Sequence, residues 1–70
     1  MALIKRSFSL AGHRTSVALE AEFWAALETQ AKTQAVSMAA FVARIDAARG
    51  ERPLASALRL AALAAAKSGG

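Results

Sequence analysis

Arg14, Ser16 and Ala18 occupy alternate positions of one short stretch, and the first two carry the most suggestive chemistry in this 70-residue chain. On an extended strand they share a face, with about 7 Å between neighbours. A guanidinium offers planar donors and a hydroxyl both donates and accepts. That is chemistry for recognising a polar edge, not for breaking a bond. His13 next to them is the chain's only histidine. It has no evident nucleophile or orienting acid, so it is read as a surface or phosphate-facing group. There is no glycine-rich phosphate loop and no paired-carboxylate motif, and no enzymatic activity is expected. The absence of cysteine removes disulfides and thiolate metal sites and fits a reducing compartment. No metal or cofactor is expected.

The element that must position these residues is a strand. From Arg14 to Leu19 the pattern has period two, with Thr15, Val17 and Leu19 on an apolar face and Arg14, Ser16 and Ala18 opposite. A lone strand leaves its backbone donors and acceptors unmatched. No second strand follows it, so the predicted partner is the same strand of a second copy. That arrangement is a two-stranded antiparallel ribbon across a twofold axis.

Seventy residues allow one domain, whose core is marginal without a staple. With disulfides and metal removed, oligomerisation is the staple that remains. Hydrophobic residues are 56% of the chain but many are alanine, so two copies are expected to pool their large side chains. The net charge of +4 suits a polyanionic partner. Its distribution is informative, because residues 1–19 hold Lys5, Arg6 and Arg14 without an acid, whereas residues 20–35 hold three glutamates against Lys32. The basic end is the end that carries the strand. An acid-free basic N-terminus also has the composition of a transit peptide, but here the alternation runs straight into a helix with no spacer. The longest apolar run, Leu54 to Ala66, is too short to span a membrane and contains Arg59.

Along the chain, residues 1–12 read as a basic arm in which Ser7-Phe8-Ser9-Leu10 alternates, so that part of it is either extended with Phe8 and Leu10 packed on the body or a disordered tail, and Ala11-Gly12 bends. A first helix is predicted from Ala21 to about Ala35, with Glu20 and Glu22 at its positive end and Phe23, Trp24, Leu27 and Ala31 on its buried side. A terminating glycine is missing there. Ser37 caps a second helix that buries Met38, Phe41, Val42 and Ile45, stops at Gly50, and has a smooth side of Ala39, Ala40, Ala43 and Ala47. Pro53 is placed in the first turn of a third helix. That helix has one stripe of Leu54, Ala57, Leu58, Ala61 and Ala65, with Leu60 and Leu63 on another side. Two apolar sides predict two neighbours, the second across a dimer or on a partner protein. Residues 67–70 are read as a flexible tail.

The order of strand, helix, short turn and capped helix resembles the ribbon-helix-helix DNA-binding proteins, the fold of the Arc and methionine repressors. Lys5-Arg6-Ser7-Phe8-Ser9-Leu10, His13-Arg14-Thr15-Ser16-Val17, Glu22-Phe23-Trp24, Ala43-Arg44-Ile45-Asp46 and Ala57-Leu58-Arg59 resemble a compact bacterial subgroup of it. The resemblance implies a mostly α fold: one short N-terminal strand paired with its dimer mate, two core helices and an added C-terminal helix, within residues 13–66. It implies a dimer core of Val17, Leu19, Phe23, Trp24, Leu27, Phe41, Val42 and Ile45. Base edges in the major groove would be met by Arg14, Ser16 and Ala18, although family members often carry a polar group at the position of Ala18. Phosphates would be met by Lys5, Arg6 and His13, and by Val36, Ser37 and Met38 at the start of the second helix.

The expected function is therefore sequence-specific double-stranded DNA binding by a homodimer, as a repressor or autoregulator on the bacterial nucleoid in the cytoplasm. Dimers could assemble further on DNA. The alternative is an interaction module, such as an antitoxin-like subunit whose third helix binds a partner protein.

Overall fold

Two left-handed residues in succession, Ala11 at φ 51° and Gly12 at φ 81°, turn the chain back on itself near its N-terminus. Positive φ at both central residues is the signature of a type I′ hairpin turn, whose twist matches that of the strands it joins. The computed structural model describes residues 2–68. In it strand β1 (Leu3–Leu10) and strand β2 (His13–Glu20) form an antiparallel pair, with Leu10 opposite His13 and Leu3 opposite Glu20. Helices α1 (Ala21–Thr33), α2 (Met38–Ala48) and α3 (Leu54–Ser68) follow.

The chain folds as a two-stranded sheet followed by three helices, but the partner of β2 differs from expectation. The strand pairs with β1 of its own chain, and most of the expected basic arm is that strand. The missing strand precedes β2 instead of following it. Phe8 and Leu10 alternate with serines and are 6% and 4% exposed, which gives β1 an apolar face of its own. Burying that face on the helices repays the ordering of the segment and the left-handed turn.

Phe8, Leu10, Val17 and Leu19 pack from the sheet onto Trp24, Leu27 and Ala31 of α1, Phe41 and Val42 of α2, and Leu54, Leu58 and Ala62 of α3. Phe23, Val36, Met38 and Ile45 are partly buried against this cluster. Within one chain, β1 and α3 close this core over most of the large side chains. Trp24 is central to it: its indole Nε1 donates to the Ile4 carbonyl at 2.7 Å while its ring lies 5.9 Å from that of Phe8.

The helix ends follow local chemistry. At the end of α1, Ala35 takes φ 57° where a glycine would be usual. The amides of Ala35 and Val36 donate to the carbonyls of Lys32 and Ala31, both at 3.0 Å, so the orphan carbonyls are satisfied without one. Ser37 Oγ accepts from the Ala40 amide at 3.0 Å and caps α2. Gly50, at φ 61°, stands just beyond its end. Pro53 lies one residue before α3, its carbonyl accepting from the Ala57 amide at 3.0 Å, and so caps the helix instead of occupying its first turn. The helix runs through Ser68, which includes half of the expected tail, and residues 69 and 70 lie outside the described residues. No helix among the described residues is long and apolar enough to cross a membrane.

Candidate nucleic-acid interface

Cross-strand partners in an antiparallel pair share a face, so the register sorts the side chains of the hairpin into two sets. On the helix side the register puts Ile4, Arg6, Phe8 and Leu10 of β1 with Leu19, Val17, Thr15 and His13 of β2. On the outward side it puts Leu3, Lys5, Ser7 and Ser9 with Glu20, Ala18, Ser16 and Arg14 directly opposite. Of these eight, Ala18 and Glu20 are partly covered and the others are exposed. Arg14, Ser16 and Ala18 thus lie together on an open face, and β1 adds Leu3, Lys5, Ser7 and Ser9 to it. Ser7 and Ser9 were not among the expected site residues. Their signal was the Ser-Phe-Ser-Leu alternation, which makes them the outward half of a strand.

The two cations on this face lie either side of the Ser7–Ser16 pair, Lys5 opposite Ala18 and Arg14 opposite Ser9. Among the described residues neither has an ion-pair partner. Between them the hydroxyls of Ser7 and Ser16 lie 2.9 Å apart and hydrogen-bond to each other. His13 is exposed beside the turn.

Arg6 is the correction. The register turns it to the helix side, where its Nη1 donates to Glu28 Oε2 at 3.0 Å. Its guanidinium carbon lies 5.1 Å from the Trp24 ring centre and 5.9 Å from that of Phe8. A side chain so engaged fastens α1 to the sheet and is not offered to a phosphate. Lys5, its neighbour, leaves by the opposite face because strand side chains alternate.

Ser37 is exposed at the start of α2, flanked by the partly buried Val36 and Met38. Its hydroxyl is occupied by the cap, while the amides of Met38 and Ala39 belong to the first turn, which has no carbonyls of its own to accept from them. Beside the sheet, Arg59 of α3 donates to Glu20 Oε1 through Nε at 3.4 Å and Nη2 at 3.3 Å. Its guanidinium also lies 5.8 Å from the centre of the Phe23 ring. A backbone amide hydrogen bond at Glu20 itself holds this carboxyl below its ordinary value, and the charge and hydrogen bonds of Arg59 add to the effect against partial desolvation. The one acid of β2 lies on the outward side by its register with Leu3 and is paired by Arg59 of α3, and the other charges of that side, Lys5 and Arg14, are positive.

Among the described residues no three His, Cys, Asp or Glu side chains gather as metal ligands would. The family model for the ribbon-helix-helix domain matches residues 3–66, from the first residue of β1 almost to the end of α3. Comparison with curated proteins and with solved structures finds no match. Ribbon-helix-helix domains generally bind DNA as dimers and are typically regulators without enzymatic activity.

Proposed function

We propose that this chain, which belongs to the ribbon-helix-helix domain family, is a sequence-specific DNA-binding regulator that acts as a homodimer. The observation that carries the reading is the outward face of the hairpin, where Arg14 and Lys5 flank the Ser7–Ser16 pair with no acid partner among the described residues. The major groove admits a two-stranded ribbon, and arginine can pair with guanine through two hydrogen bonds. Each chain completes its own ribbon, so a homodimer brings two of them to a twofold-symmetric site. Arg14 and Ser16 meet base edges there, and Ala18 can touch only a thymine methyl. Lys5, His13 and the start of α2 at Ser37 and Met38 hold phosphates, adding affinity without sequence information, whereas the Val36 amide is already spent on the Ala31 carbonyl. Such a protein acts on the bacterial chromosome in the cytoplasm, as a repressor of its own or neighbouring genes. Selection from a pool of random duplexes at about 150 mM salt tests this, because non-specific binding is weak there. Enrichment of one inverted-repeat sequence is expected. Recovery of unrelated sequences contradicts the reading.

A second reading rests on α3. Leu60 and Leu63 are 46% and 50% exposed, and an apolar groove lined by Ile45, Ala48, Ala57 and Leu60 runs between α2 and α3. A partner protein seated there would add an antitoxin-like role to DNA binding. Purification of the tagged protein from its host tests it: a stoichiometric companion lost in a Leu60→Lys/Leu63→Lys variant supports the reading, and none in the wild type removes it.

A further inference from the structure

The Ser7–Ser16 hydroxyl pair joins two different strands of the same chain, and its place in the ladder gives it a defined chemistry. Leu10 and His13 close a two-residue turn and form a hydrogen-bonded pair, and pair types alternate from there. Ser7 and Ser16 consequently form a non-hydrogen-bonded pair, the type in which facing side chains come closest. Both are exposed on strands that the core holds from the other side, so the two oxygens, 2.9 Å apart, are displayed at a fixed spot.

Each hydroxyl has one hydrogen and two lone pairs. One hydrogen is used between the two oxygens, whichever serine donates it. The pair therefore presents a single free O–H with acceptor lone pairs beside it. In the major groove adenine shows an acceptor, N7, next to a donor, the N6 amino group. Guanine shows two acceptors, N7 and O6, and needs two donors. The pair can supply both only by giving up its own hydrogen bond.

We propose that Ser7 and Ser16 act as one reading unit that selects adenine at a position in each half-site distinct from the one met by Arg14. This rests on the DNA-binding reading above and extends base reading to β1, whose Lys5 is given only a phosphate contact there. The unit needs both hydroxyls, so the two residues are coupled: losing either removes the arrangement.

Duplex selection with the wild type and with Ser7→Ala, Ser16→Ala, the double variant and Ser7→Thr tests the inference, with thermal melts to verify folding. Ser7→Ala is expected to lower the adenine preference at one position about tenfold. Ser16→Ala should do the same at the same position, the double variant should lose no more, and Ser7→Thr, which keeps a hydroxyl, should retain the preference. A wild type that enriches one sequence while Ser7→Ala enriches it unchanged overturns this inference and leaves the DNA-binding reading standing. A wild type that enriches no common sequence overturns both.

Discussion

Arg6 and Glu28 meet at 3.0 Å between the sheet and α1, and the contact lays the guanidinium against Trp24. It ties the start of the hairpin to the first helix on the side away from the open face. The pair is partly exposed, so its charge contribution is small and the stacking on the ring matters as much. Arg6→Ala should lower stability by about 1–2 kcal/mol in urea unfolding. It should leave the salt dependence of DNA binding unaltered, whereas Lys5→Ala, which removes one phosphate contact from each protomer, should reduce the slope for the dimer by about two. Equal changes in slope would place Arg6 on the DNA.

The hairpin turn makes a separate prediction. Ala11 holds a left-handed conformation that ordinary side chains occupy at a cost of about 1–2 kcal/mol and that asparagine tolerates. Ala11→Asn, which creates the favoured Asn-Gly turn, should stabilise the protein by about 1 kcal/mol. A methyl group added at Gly12 would meet nothing within 4 Å, so Gly12→Ala acts through the backbone alone. It should destabilise by about 1 kcal/mol. Thermal unfolding of the two variants should show opposite shifts, and shifts of the same sign would contradict the turn assigned here.

Glu20 gives a prediction in pH. Its carboxyl titrates below its ordinary 4.5 in the folded chain. A lowered folded value means that the ionised group stabilises the fold above about 4.5, and that this contribution fades as pH falls through the folded value. In Glu20→Gln the loss of stability across that acidic window should be shallower than in the wild type. Arg59→Ala should fall between them, since the amide hydrogen bond at Glu20 persists. Identical acid profiles for all three would mean that the bridge between β2 and α3 has no energetic role.

Much of this architecture was legible in the chain. Ser37, Gly50 and the spacing of Phe23, Trp24, Leu27, Phe41, Val42 and Leu58 are local signals, and the helices lie where those signals put them. What stayed hidden depends on contacts between distant segments. Ala-Gly is a weak turn dipeptide beside Asn-Gly, so the hairpin was not announced. The alternation marks Phe8 and Leu10 as residues that could pack on the body, but not that their segment pairs with β2. Arg6 and Lys5 are equivalent as charges in a basic segment, and only the register sends one to Glu28 and the other outward. Ala35 could end α1 without a glycine because the Schellman hydrogen bonds offset its conformation. The open face was half visible: the alternation from Arg14 to Ala18 marked one strand, and its second strand needed the turn.

The most direct test is fluorescence anisotropy of the selected duplex and a scrambled one at about 150 mM salt, comparing wild type with Arg14→Ala. The account predicts that the wild type prefers the selected duplex by at least about 1000-fold. Arg14→Ala should lose about 1–3 kcal/mol per half-site on it, with discrimination relaxed at one base in each half-site and a much smaller loss on the scrambled duplex. Equal losses on both duplexes, or none on either, would contradict a base-reading role for the outward face of the hairpin.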